Sequence, residues 1–156
     1  MKSFAIPLIA GILAATAANA ASTFDSVAVD VFARDAYSTL YTLDGAAIDQ
    51  QIGEARSLFA SDEKHQSYVD SLKASGDYDI LKANGLKMAA AKGDATVKVS
   101  GNGKWTVTFP AEISFSGKLN VRQCLAVTMN VAEAEGRLSV VNAISTQGEC
   151  LDTSKD

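Results

Sequence analysis

The chain has 156 residues, of which 47% are hydrophobic and 21% charged, and its formal net charge is −4. That length and balance fit one folded domain and exclude a disordered chain. The acidic balance and the lack of any basic run exclude a general grip on nucleic acid, which needs a concentrated positive surface.

The first residues read as a targeting segment. Met1-Lys2 gives a short positive start, Phe4 to Ala15 is apolar, and Ala18-Asn19-Ala20 is a small-x-small site before Ala21. This is the pattern of a secretory signal peptide over 1–20, cleaved after Ala20. The rival reading is a retained membrane anchor, since no charge falls between Lys2 and Asp25. The later half of that run is Ala, Thr and Asn, weakly apolar for a span of about 20 residues. Membrane association follows only if the segment is retained. No cysteine stands near the site to take a lipid. Cleavage removes Lys2 and leaves 13 basic against 18 acidic side chains, a net of −5.

The mature chain divides into a helical half and a strand half, so 21–150 reads as a single α+β domain, with a short polar tail over 151–156. Ser22 or Thr23 caps the first helix, and Asp25 favours its first turn. Val27, Ala28, Val31, Phe32, Ala36, Leu40 and Leu43 recur at spacings of three and four, the stripe of one buried face. Asp44-Gly45 ends it. Ile48, Ile52, Ala55, Leu58 and Phe59 draw a second helix. Gly53 inside it costs about 1 kcal/mol against alanine, which points to a close packing contact. Ser61-Asp62-Glu63-Lys64 opens a third helix with Tyr68, Val69 and Leu72 inward, stopped by Gly76. Asp77 to Asn84 forms a short helix carrying Tyr78, Ile80 and Leu81, closed by Gly85.

The period then changes to two. Ala95, Val97 and Val99 alternate with polar residues, and Gly101-Asn102-Gly103 signals a hairpin. Trp105, Val107, Phe109, Ala111, Ile113 and Phe115 share one face of a long strand. Gly117-Lys118 turns the chain. Gln123, Leu125, Val127, Met129 and Val131 form the inward face of the next strand, and Glu133 to Gly136 turns again. Leu138, Val140, Asn142 and Ile144 alternate in the last. Helices followed by an antiparallel meander imply a curved sheet of about four strands with helices in its concave face. Pro110 donates no ladder hydrogen bond, so it belongs at an edge or a bulge.

Cys124 and Cys150 are the only cysteines. Export to an oxidising compartment favours a disulfide between them, worth about 3 to 4 kcal/mol by loop closure. The alternative is two separate thiols. There is no CxxC spacing for redox exchange.

The residues that could carry chemistry have plainer explanations. His65 is the only histidine; metal sites and Ser-His-Asp triads need more partners than it has, and it reads as a solvated helix residue. Asp25, Asp30, Asp35, Asp44, Asp49 and Glu54 recur along the first two helices, with Asp30 and Arg34 spaced to pair; such rows are usually solvated faces. Gly101-Asn102-Gly103 is too short to cradle phosphate. Trp105, Val107, Phe109, Leu125 and Val127 read as core, and Pro110 as a strand break. No catalytic, cofactor-binding or metal-binding residue is assigned.

Several stretches in order resemble one family: FARDAYSTLYTL, the phenylalanine of SLFASD, YVDSLKASG, KWTVTFPAEISFSG, RQCLAVTMNVAEAE and GRLSVVNAIS. The most specific is Trp105-x-Val107-x-x-Pro110, followed by an aromatic and Gly117. Together they cover Phe24 to Thr146 and resemble the IcmL/DotI family of type IVB secretion and conjugation systems. The resemblance implies a periplasmic cone of the nuclear-transport-factor-2 type, self-association, protein partners in a secretion or conjugation complex, no cofactor and no catalytic residues. A cleaved leader and the cysteine pair depart from the family pattern. The competing expectations are a small-ligand-binding cone of the same fold and a factor secreted outside the cell.

Overall fold

A computed structural model describes residues 22–117 and 121–151. The leader over 1–20, Lys118 and the tail beyond Leu151 lie outside the described residues. The elements run α1 (Ser26–Tyr41), β1 (Leu43–Asp44), α2 (Ile48–Glu54), a 3-10 turn (Ala55–Leu58), α3 (Asp62–Ala74), α4 (Asp77–Asn84), β2 (Lys87–Lys92), β3 (Thr96–Gly101), β4 (Lys104–Ser116), β5 (Val121–Ala134) and β6 (Arg137–Gln147). The class is α+β, with the helices N-terminal to a curled antiparallel sheet.

The start of α1 differs from the sequence expectation. Asp25, not Ser22 or Thr23, is the N-cap, and its carboxylate accepts from the Ala28 amide at 2.8 Å. The Ser22 and Thr23 hydroxyls instead donate to Glu133 at 2.7 and 2.6 Å. The helix stops at Tyr41, because Leu43 and Asp44 leave it to pair with Met88 and Lys87 of β2. Its buried face is Val29, Ala33, Ala36, Tyr37 and Leu40, while Val27 and Val31 face outward. α1 is apolar on two sides, and the side with small alanines is the one that seats against the sheet.

Ser61 caps α3 and accepts from the Lys64 amide; Tyr68, Val69 and Leu72 are buried. Gly76 and Gly85 bound α4 in the left-handed conformation, at φ of 82° and 57°, which glycine adopts without penalty. Gly53 is not at a close contact: a Cβ there would meet nothing within 4 Å.

The sheet has six strands rather than four, in the order β1-β2-β4-β5-β6, with β3 also paired to β4. β1 is too short to show a period, and β2 is alanine-rich, a composition that favours helix over strand. β2 pairs with the second half of β4 and β3 with its first half. Glu135-Gly136, both at positive φ, make the two-residue turn between β5 and β6.

Pro110 sits on a central strand, neither at an edge nor at a bulge. It pairs with Ala126 of β5 on one side. On the other side β2 has ended and β3 has not begun, and the Gly93 amide donates to the Pro110 carbonyl at 2.8 Å. An extended residue points its nitrogen and its carbonyl the same way, so the missing N–H faces this gap, where no ladder bond is owed.

A bulge at Val141 shifts β6. Val131 pairs with Val140, but Asn130 pairs with Asn142. The extra residue reverses the alternation, so Ala143 turns inward and Ile144 outward. Gln123, at the start of β5, is exposed.

Candidate interaction surface

The inner face of β4 and β5 is closed by apolar packing. Trp105, Val107, Phe109, Val127 and Met129 are all buried, and Leu125 is half-buried at the margin. Tyr37 meets Phe109 edge-on at 5.3 Å between ring centres. Each of these side chains is worth about 1.5–3 kcal/mol when removed from water. Pro110 itself lies exposed on the opposite face.

His65 is not a solvated residue. Its Nε2 lies 2.8 Å from the Ile52 carbonyl, and its ring packs near Phe59 and Tyr68. It ties α3 to α2. A lone histidine 13 residues from its partner gives no such signal in sequence.

The six carboxylates along the first two helices are all engaged. Asp25 caps α1. Asp30 holds Arg34 through two bonds at 2.6 and 2.9 Å. Asp35 meets Lys92, and Asp44 meets Lys87. Asp49 accepts from Lys82 and Tyr78, which hold its carboxyl below the usual range. Glu54 accepts from Gln50. Among the described residues no group of three His, Cys, Asp or Glu side chains could hold a metal ion.

Cys124 and Cys150 form a disulfide, with Cα atoms 4.6 Å apart. The neighbouring Glu112 pairs with Arg122 across β4 and β5.

Two features of the surface remain. The first is a cleft of about 260 Å³ between α3 and β6, lined by Leu40, Tyr41, Phe59, Lys64, Tyr68 and Asn142 among others. The Tyr68 hydroxyl donates to the Leu40 carbonyl at 2.5 Å, and burial pushes the Tyr41 hydroxyl up to about 12. Neither phenol is a base near neutral pH.

The second is apolar exposure on α1 and β3. Val27 is 67% exposed, Val31 49% and Val99 75%. Val99 pairs with Trp105, so it stands on the inner face of the sheet, but β3 is an edge strand and nothing covers it. α1 packs across β3. The charges beside the valines, Asp30–Arg34 and Asp35–Lys92, neutralise each other. Around Val31 the charges are therefore balanced, which suits burial of that side of α1 against a protein. The stripe through Val27 and Val31 is not the buried one; Val29, at helical spacing from Ala33, Ala36 and Leu40, marks the face that is.

No protein-family model matches the sequence, and no characterised protein matches it either. Solved structures do match the fold. An IcmL-like type IV secretion system protein from Legionella pneumophila superposes with a TM-score of 0.76 at 20% identity, covering 83% of this chain and 98% of that one. The periplasmic domain of DotI gives 0.73 at 16%, covering 83% and 100%. A periplasmic fragment of TraM gives 0.71 at 20%, covering 80% and 99%. No helix among the described residues is long and apolar enough to cross a membrane. The chain therefore has the fold of an IcmL-like type IV secretion protein and of the periplasmic domains of DotI and TraM.

Proposed function

We propose that this chain is a non-enzymatic assembly component of a type IVB-like secretion or conjugation apparatus, a member of the IcmL/DotI family that works in the periplasm. One observation carries the reading: the likeness to the IcmL-like protein spans 98% of that chain, so it covers a whole domain and not a shared motif. The ordered run from Trp105 through Pro110 to Gly117 supports it. In this reading residues 1–20 export the protein and are removed, 21–150 form the working domain, and Val27, Val31 and Val99 contact protein partners of the complex or a second copy. A fold alone does not determine function, so the test is biochemical. After fractionation, the tagged mature protein is crosslinked in cells and captured. Recovery with secretion or conjugation components at the inner membrane is expected; recovery alone from the soluble periplasm, or from the medium, would overturn the reading.

The cleft between α3 and β6 favours a second reading, a periplasmic binder of a small molecule. Its aromatic wall of Tyr41, Phe59 and Tyr68, with Lys64 at the rim, has the shape of a modest ligand site.

A further inference from the structure

β6 ends at Gln147, and Gly148–Leu151 does not continue along the sheet edge. It crosses the outer face of the sheet. The Gly148 amide donates to the Cys124 carbonyl at 3.0 Å. A Cβ on Gly148 would lie 2.4 Å from the Ala126 nitrogen, so only glycine brings the backbone over β5 here. Cys124 pairs with Glu112 and Ala126 with Pro110; all four stand on the face opposite Trp105 and Phe109. The disulfide therefore fixes Cys150 above that face.

Leu151, half-buried, reaches one strand further. A Cβ on Gly93 would lie 3.0 Å from Leu151 Cδ2 and 2.8 Å from Pro110 Cγ. Gly93, Pro110 and Leu151 thus pack against one another where the sheet beside β4 is interrupted between β2 and β3. Four residues span from β6 over β5 and β4 to that break, and one covalent bond holds them there. Cys150 is exposed, so an attacking thiolate has access to the bond.

We propose that Gly148–Leu151 is a redox-released strap. While the disulfide is intact, it holds the β2–β3 connection against Pro110 and keeps the edge strand β3 in line. A dithiol reductant frees it: the S–S bond breaks, each sulfur gains one electron and one proton, and the reductant's two thiols become a disulfide. Release leaves Gly93 held by its single bond to Pro110 and loosens β3, the strand that carries the uncovered Val99. The strap stands on this chain's own geometry, independently of the apparatus it serves.

Hydrogen–deuterium exchange of the mature protein tests it, oxidised and after treatment with dithiothreitol, alongside Leu151→Ala under oxidising conditions. Reduction is expected to speed exchange over 93–99 by about tenfold or more, with α1 unchanged. Leu151→Ala should speed the same amides with the disulfide intact. If reduction loosens only the loop between Cys124 and Cys150, or every element equally, or if Leu151→Ala leaves 93–99 protected, the strap does not tie the break and the proposal fails.

Discussion

Glu133 does at the residue scale what no helix cap does: it ties the entry of α1 to the end of β5. Its carboxylate accepts from the Ser22 hydroxyl at 2.7 Å, the Thr23 hydroxyl at 2.6 Å and the Thr23 amide at 3.3 Å. These bonds, first those from the Thr23 and Ser22 side chains, hold its pKa below the ordinary glutamate value of 4.5. A carboxyl whose pKa falls on folding binds its proton less tightly when folded. The tether is therefore complete above pH 4.5 and is lost as pH falls through the lower folded value. In a titration from about pH 6 to about pH 3, the Thr23 amide resonance should shift with a midpoint below the ordinary value, and Glu133→Gln should abolish the transition. A midpoint at or above the ordinary value would remove Glu133 from this role. Because the carboxylate is exposed, its share of total stability is small; the effect is local, on the angle at which the chain enters α1.

At the element scale, two glycines separate what a sequence shows from what only a fold shows. Gly53 lies in α2 at helical dihedrals with open space around it. Gly53→Ala should raise stability by about 0.5–1 kcal/mol, read from chemical denaturation. Gly45, between β1 and α2, would place a Cβ 2.0 Å from the Leu81 carbonyl oxygen, which is backbone and cannot step aside. Gly45→Ala should cost at least about 2 kcal/mol in the same assay. Equal effects at the two sites would contradict the packing of α4 against the β1 turn. The helices and long strands were legible because each carries its own period: Tyr68-Val69-Leu72 in α3, and Trp105 through Ile113 in β4, are buried as alternation or 3.6-residue spacing requires. What escaped depends on a partner distant in sequence. β1 exists because Met88 pairs with Leu43, and β2 because β4 offers it an edge. The bulge at Val141 reverses a pattern that reads as unbroken, and Pro110 is accommodated by a gap in a different strand. The same blindness hid part of the surface: α1 is amphipathic twice over, and only the sheet decides which side is inside.

For the whole molecule the useful contrast is between 20% identity and a TM-score of 0.76 over nearly all of the IcmL-like protein. A cone of this kind tolerates sequence change because its interior asks only for apolar residues of suitable size on alternating positions. Its outward-facing positions are under no such packing constraint. Exposed apolar side chains there are consequently more informative than the core, and Val27 and Val31 can be changed without touching it. Val27 is the second residue of α1, where an aspartate also favours the helix dipole. The double variant Val27→Asp, Val31→Asp should lose no more than about 1–2 kcal/mol of unfolding free energy, since the new carboxylates stand four residues apart and the second stands four from Asp35, spacings at which like charges repel weakly. It should lose crosslinked partners in the capture experiment, because two carboxylates would have to be desolvated in the contact. Ile144→Asp, on the outer face of β6, makes the matched control: it adds charge at another exposed apolar residue and should leave capture intact. Capture lost by the control alone would move the contact to the outer face of the sheet. Capture unaffected by either variant would leave α1's second apolar side without a role in assembly.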